Sequence, residues 1–149
     1  NNKKEKNNFV KKSIKSVINP KPKLSFGLKN KKYFSSSMDS SDGLSTTLNE
    51  MAKQSGKKFI VDQMPLNKDL EDYVKKKNLN LNSIIFNGGE EYEFVFTIPI
   101  KYRKNIIKNA KLSKTPIIEI GYVTSGKWVF LKNNNKNIIV KDLGWKHFK

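Results

Sequence analysis

The sequence contains no cysteine, and His147 is the single histidine among its 149 residues. Without cysteine there can be no disulfide, no thiolate nucleophile and no zinc or iron–sulfur site of the cysteine type. One histidine also excludes metal sites built from several imidazoles and leaves little room for a conventional catalytic triad. Sites in which carboxylates bind a hard cation are still open.

Long apolar runs are also absent from the sequence. No stretch of eighteen apolar residues occurs, and no apolar segment follows the basic N-terminus, so neither a membrane span nor a secretory signal is supported. We therefore expect a soluble, cytoplasmic protein with no membrane partner. The length and a hydrophobic content of 36% predict a single domain with one core.

Arginine is nearly missing as well, because Arg103 is the only one among 30 basic residues, which face 13 acidic ones. The formal charge of +17 suggests nucleic acid, an anionic membrane surface or a phosphorylated ligand as partner. Lysine and asparagine are nevertheless abundant everywhere, as in "KNNNKN", which is more typical of a proteome-wide bias than of a binding face. Nucleic-acid binding is therefore the less favoured reading.

The apolar periodicity predicts helices and strands in a mixed order. Residues 1–8 lack apolar anchors and are expected to be a disordered tail, and an amphipathic helix follows over 9–18 until two prolines end it. Residues 20–34 are expected to be extended, because each proline restrains the residue before it.

Further along the chain the same patterns predict three more helices and a series of strands. The helices are expected at 42–54, 67–77 and 101–113, and the strands at 57–62, 91–100, 116–126, 127–132 and 137–142. The predicted fold class is α+β, with a mixed, mainly antiparallel sheet packed against helices.

One window lacks the basic character of the rest, since residues 33–52 contain no lysine or arginine while Asp39 and Asp42 lie three apart. If a strand ends at Asp39 and a helix begins at Gly43, both carboxylates, the Ser41 hydroxyl and the free N–H groups of the helix converge. Carboxylates bind divalent cations, and a helix N-terminus binds a phosphate oxygen, so the pattern indicates a metal–nucleotide site. The alternative is an ordinary helix N-cap at Asp42 and a turn residue at Asp39.

Two other clusters allow a similar choice. In "NGGEEYE", Gly88 and Gly89 either shape a loop that directs Glu90 at a ligand bearing a cation or amino donors, or form a flexible turn into an edge strand. In "LGWKHF", Trp145 either packs down the chain end or stacks on a flat heterocycle.

A third motif is a decoy. Residues 121–127 match the front of the phosphate-loop pattern G-x-x-x-x-G-K, but Trp128 stands where a serine or threonine hydroxyl must reach Mg²⁺. The next element also has the pattern of a strand, where a phosphate loop requires a helix. We expect a β-turn here.

Considered together, the motifs resemble a known family. "MDSSDGL" with "LNEMAKQSG", then "GGEEYEFVFTI", "IGYVTSG" and the terminal "GWKHF" occur in the order and approximate spacing of the C-terminal half of thiamine-monophosphate kinases. That family belongs to the aminoimidazole-ribonucleotide-synthetase-like group of ATP-using enzymes. The resemblance covers about residues 9–149 and implies the C-terminal domain fold of the group, which is partly ferredoxin-like.

The resemblance implies transfer of the γ-phosphoryl group of ATP to thiamine monophosphate, giving thiamine diphosphate. It also implies roles for single residues: Mg²⁺ ligands at Asp39 and Asp42, an ATP contact at Ser41, and substrate binding by Glu90 and Trp145. Such a reaction depends on positioning and on charge neutralisation by metals more than on a nucleophile. The sequence departs from the family pattern at Ser40, Glu91 and Lys146.

In this family an N-terminal domain precedes the matched region and supplies most metal-binding aspartates and the dimer surface, and residues 1–38 contain no such cluster. We therefore expect 9–149 to be the C-terminal domain alone. That domain is expected to be inactive without the N-terminal domain, and the full-length protein is expected to be a homodimer. The alternatives are another ATP-using member of the same group, of the hydrogenase-maturation or selenophosphate-synthesis type, and a non-catalytic basic nucleic-acid-binding module.

Overall fold

The computed structural model describes residues 2–89, 92–134 and 136–143, with residues 2–9 described by their backbone alone. This part of the chain forms six α-helices and six strands. The helices are α1 (Asn2–Ile18), α2 (Leu24–Asn30), α3 (Leu44–Ser55), α4 (Lys68–Lys77), α5 (Leu81–Asn87) and α6 (Arg103–Leu112). The strands are β1 (Ser36–Asp39), β2 (Lys57–Val61), β3 (Phe94–Thr97), β4 (Gly121–Ser125), β5 (Val129–Asn133) and β6 (Lys136–Ile139).

The strands form one four-stranded and one two-stranded sheet. The larger sheet has the order β4-β2-β5-β6, in which β2 is antiparallel to β4 and parallel to β5, and β5 is antiparallel to β6. In the smaller sheet β1 and β3 pair antiparallel, with Asp39 opposite Phe94. The predicted α+β class with a mixed, mainly antiparallel sheet is confirmed.

Two hydrophobic clusters hold these elements together. The first lies between the larger sheet and the helices α3 and α5, and its buried residues include Leu48, Met51, Phe59, Val61, Phe86 and Val129. The second surrounds Phe26 of α2, Ile106 and Ala110 of α6, and several aromatic rings. The β1–β3 ribbon lies between them, because Val95 packs against the first cluster while Phe94 and Phe96 pack against the second.

Local chemistry explains the helices that the sequence predicted. In α3 the apolar side chains recur on one face, and Gly56 ends the helix in the left-handed conformation with φ of 63°. Asn67 caps α4 by accepting a hydrogen bond from the Leu70 N–H at 2.8 Å. The exposed Glu71–Lys75 ion pair on α4 lowers the pKa of the Glu71 carboxyl and raises the pKa of the Lys75 ammonium.

One prediction near the N-terminus is wrong, the one for residues 20–34. Before that segment, helix α1 spans Asn2–Ile18, and lysine and glutamate have the high helix propensity that continues a helix beyond its apolar face. The segment 20–34, expected to be extended, contains α2 and a 3₁₀ turn at Lys31–Tyr33. Its two prolines restrain only the residues next to them, and the burial of Phe26 favours the helix that follows.

The decoy motif forms a tight connection and not a phosphate loop. Residues 126–128 join β4 to β5, and the following element is a strand, as expected. Because β4 and β5 lie on opposite sides of β2, this connection crosses the end of β2. Within the described ranges, no helix is both long and apolar enough to cross a membrane.

Candidate functional site

The loop between β1 and α3 carries the first motif. Strand β1 ends at Asp39, as predicted, and the Ser40 N–H continues the pairing by donating to the Glu93 carbonyl at 2.9 Å. Residues of β1 alternate between half-buried and exposed, which places the Asp39 side chain on the exposed side. Within the part of the chain that the structure describes, its carboxylate has no hydrogen-bond or ion-pair partner.

The N-terminus of α3 follows immediately. Its N-cap residue is Gly43, with φ of 100° and ψ of 154°, so the alternative in which Asp42 is an ordinary N-cap is wrong. Gly43 has no side chain with which to cap this end. The first N–H groups of an α-helix have no acceptor within the helix, and the positive end of the helix dipole favours an anion there.

The second motif contacts the first through its glycines. A Cβ atom on Gly43 would lie 2.8 Å from the Gly88 carbonyl oxygen, and one on Gly89 would lie 3.1 Å from the Ser41 carbonyl oxygen. Backbones approach this closely only where side chains are absent. The two loops, distant in the sequence, are therefore packed directly against each other.

Three consecutive hydroxyl residues at the start of α3 reinforce this arrangement. The Thr47 Oγ1 donates to the Asp39 carbonyl at 2.9 Å, and the Ser45 Oγ donates to the Asn87 Oδ1 at 3.2 Å. The Thr46 Oγ1 donates to the Asp142 Oδ1 at 2.7 Å. The sequence reasoning missed all three, because it did not indicate which residues would lie opposite these hydroxyls.

The C-terminal segment also reaches this end of α3. The Asn49 Nδ2 donates to the Val140 carbonyl at 3.0 Å, next to the Thr46–Asp142 hydrogen bond. The segment that leads into "LGWKHF" is thus held on the first turns of α3. Glu90 and Trp145 themselves lie outside the described residues, so their predicted roles stay predictions.

The charge of these segments differs from that of the rest of the chain. Besides residues 33–52, residues 78–100 contain no lysine or arginine, although the whole chain has 30 basic residues. The two lysine-free segments supply β1 and β3, which pair, and α5 with the first nine residues of α3, and these two helices pack together. The absence of lysine and arginine from residues 78–100 is visible in the sequence, but no expectation was drawn from it.

The carboxylates can contribute only part of a metal site. Asp39 is exposed and Asp42 half-buried, and their oxygen atoms are the donors that Mg²⁺ prefers. Among the residues that the structure describes, no group of three or more histidine and acidic side chains could hold a metal ion. The donor set therefore fits Mg²⁺ in its chemistry, and further ligands are needed.

The chain matches no family model, but it is similar to several known proteins. It is 62% identical to the thiamine-monophosphate kinase of Nitrosopumilus maritimus over 147 residues, which are 99% of this chain and 46% of the relative. It is 33% identical to the thiamine-monophosphate kinase of Pyrococcus horikoshii over 140 residues, 93% of this chain and 42% of the relative.

A solved structure is similar as well. It is described as AaThiL complexed with AMPPCP and TMP, and it superposes with a TM-score of 0.67 at 31% identity, covering 91% of this chain and 40% of that chain. The chain thus spans less than half the length of these relatives and corresponds to a C-terminal portion of them.

Proposed function

This chain belongs to the thiamine-monophosphate kinase family, of whose members it matches a C-terminal portion, and from that premise we propose that it forms part of a kinase. The reaction is transfer of the γ-phosphoryl group of ATP to thiamine monophosphate, giving thiamine diphosphate. The observation that carries this proposal is the contact between the loop around Gly43 and the loop around Gly88. The complex of a relative with AMPPCP, an ATP analogue, and TMP supports both substrates.

ATP is proposed to bind at the N-terminus of α3. The N–H groups at the start of this helix suit a phosphate oxygen, because they have no acceptor within the helix and lie at the positive end of its dipole. The Ser41 hydroxyl, in the same loop, would donate a further hydrogen bond to the nucleotide. The absence of lysine from 33–52 leaves phosphate binding in this segment to N–H and hydroxyl groups.

Asp39 and Asp42 would hold Mg²⁺ together with carboxylates from outside this chain. Mg²⁺ bound there would neutralise negative charge on the phosphoryl group during its transfer. Residues 33–52, which include both aspartates, contain no lysine or arginine. We assign the remaining ligands to the N-terminal domain of the full-length protein, which we propose to be a homodimer in the cytoplasm, where ATP is available.

Thiamine monophosphate is proposed to bind through Glu90 and Trp145. A carboxylate and an aromatic ring suit the flat, cationic thiamine moiety. Support comes from their neighbours: Gly89 lies against the Ser41 backbone, and Asp142 is held by Thr46. Both segments therefore start from the nucleotide end of α3, where the acceptor phosphate must meet the γ-phosphoryl group.

The proposal is tested with Asp39→Asn in the full-length protein. Loss of a metal ligand removes several kcal/mol of transition-state stabilisation, so we expect the rate of thiamine diphosphate formation to fall about 100-fold or more. Asp69→Asn is the matched control, because Asp69 is an exposed aspartate on α4. Unchanged turnover in Asp39→Asn, or no turnover by the full-length wild type, would contradict the proposal.

A further inference from the structure

We propose that the hydroxyl run Ser45-Thr46-Thr47 at the start of α3 positions three segments of the site separately, one hydroxyl for each segment. This inference rests on the proposed function for its kinetic consequences. Its structural basis is that three adjacent side chains donate hydrogen bonds to three different parts of the chain.

The direction of these hydrogen bonds is unusual for hydroxyls in a helix. Serine and threonine there usually donate back to a carbonyl one turn earlier, as Ser55 does to Met51 and Ser113 does to Asn109. Ser45 and Thr46 instead donate to side chains of other segments. Successive residues of a helix point about 100° apart. Three neighbouring hydroxyls at one helix end can therefore reach three segments.

Thr47 holds the nucleotide and metal segment. Its side chain is buried, and its Oγ1 lies 2.9 Å from the Asp39 carbonyl and 3.2 Å from the Gly43 carbonyl. One hydroxyl thus joins both ends of the loop that carries Ser41 and Asp42. Without this hydroxyl the Asp39 carbonyl loses a hydrogen bond that holds the backbone of the residue whose side chain is proposed to bind Mg²⁺.

Ser45 holds the segment that leads to Glu90. Its side chain is fully buried, and its Oγ donates to the Asn87 Oδ1 just before the glycine pair. The same loop is packed on Gly43 through Gly88. The hydrogen bond therefore positions Asn87, the residue that comes just before "GGE" in the chain.

Thr46 holds the segment that leads to Trp145. Its hydrogen bond to Asp142 is the shortest of the three, at 2.7 Å, and the Asn49–Val140 hydrogen bond lies beside it. Thr46 is half-buried at the edge of the site. Its loss would loosen the C-terminal segment and leave the other two in place.

The experiment compares Ser45→Ala, Thr46→Val and Thr47→Val in the full-length enzyme by amide hydrogen exchange and by steady-state kinetics. We expect each variant to speed exchange about tenfold in its own segment alone. These segments are 85–89 for Ser45, 140–143 for Thr46 and 36–43 for Thr47. Ser55→Ala and Thr124→Val are matched controls, since Ser55 bonds only within α3 and Thr124 is exposed on β4.

The kinetic effects of the three variants should also differ according to the segment that each hydroxyl holds. Thr46→Val and Ser45→Ala are expected to raise the KM for thiamine monophosphate about fivefold to tenfold and leave the KM for Mg·ATP unchanged. Thr47→Val is expected to raise the KM for Mg·ATP or lower kcat by a similar factor. Thr46→Ser and Thr47→Ser keep the hydroxyl and should restore wild-type values.

The two proposals fail in different ways. Faster exchange throughout the domain, or equal changes of both KM values in all three variants, would show that the hydroxyls only stabilise the fold and would overturn the inference. Variants indistinguishable from the controls would overturn it as well. An inactive wild type would contradict the proposed function, while segment-specific exchange would still support the positioning by each hydroxyl.

Discussion

Gly43 combines two requirements at one residue. Its φ of 100° lies in the region that residues with a side chain rarely adopt, and an added Cβ would lie 2.8 Å from the Gly88 carbonyl oxygen. Both the backbone conformation and the contact between the two loops therefore depend on the absence of a side chain. The contact is also what brings the two halves of the candidate site together.

We expect Gly43→Ala to lower the free energy of unfolding by about 3 kcal/mol, from backbone strain and steric overlap together. Urea denaturation of the variant and the wild type measures the difference. Gly27→Ala is the matched control, because Gly27 lies inside α2 with no atom within 4 Å of its added Cβ. Alanine there should raise the free energy of unfolding by up to about 1 kcal/mol. A neutral Gly43→Ala would show that the two loops are not held as described.

The sequence predicted where the first motif lies better than it predicted what surrounds that motif. Asp39 ends a strand, and Ser41 and Asp42 precede a helix, as expected, because alternation and helical periodicity are local signals. The hydrogen bonds of Ser45 and Thr46 join residues far apart in the chain. No local pattern contains such partners, and so no reading of "LSTTL" alone could have found them.

At the level of elements, α2 shows how tertiary packing overrides local signals. It has only seven residues, too few for periodicity to indicate a helix with any strength. Its single fully buried apolar residue, Phe26, packs near Phe34 and Phe96 with ring centroids 6.4 and 5.7 Å away. By contrast α3, α4 and α6 have ten or more residues and a continuous apolar face, and the sequence predicted each of them.

The junction between α2 and α6 depends on a buried amide. Asn30 is fully buried, its Nδ2 donates to the Phe26 carbonyl at 2.8 Å, and its Oδ1 accepts from the Asn109 Nδ2 at 2.7 Å. Asn109→Ala would leave the Asn30 oxygen buried without that donor. We expect a loss of about 1–3 kcal/mol in the free energy of unfolding.

Thermal and urea unfolding of Asn109→Ala measure this effect. Asn105→Ala is the control on the same helix, since Asn105 is exposed and alanine is the better helix former. The control should be neutral or slightly stabilising. Equal stabilities of the two variants would show that the Asn30–Asn109 hydrogen bond does not join the helices.

For the molecule as a whole, the distribution of charge separates two regions. A net charge of +17 resides on a chain whose segments 33–52 and 78–100 carry no basic residue. The paired strands and packed helices bring these segments together, so the candidate site lies in a region poor in positive charge. Such a region suits carboxylates that bind a cation, and it does not suit the long phosphate backbone of a nucleic acid.

We expect residues 1–149 alone to form no thiamine diphosphate from ATP and thiamine monophosphate, because the proposed metal site includes carboxylates of an N-terminal domain that these residues do not contain. The full-length protein, assayed in parallel at equal concentration, is the positive control. Circular dichroism of the fragment establishes that it is folded when assayed. Robust turnover by the folded fragment would show that the chain contains the whole catalytic machinery.

The position of β2 in the larger sheet bears on how the polypeptide acquires this structure during synthesis. Both neighbours of β2 come from much later in the chain, since Val61 pairs with Gly121 and Phe59 with Val129. Closing such loops is entropically costly and slow. During synthesis, β2 has no strand partner until residues 121–133 have left the exit tunnel of the ribosome. The emergence of residues 121–133 therefore sets the earliest moment at which β2 can pair with both of its neighbours.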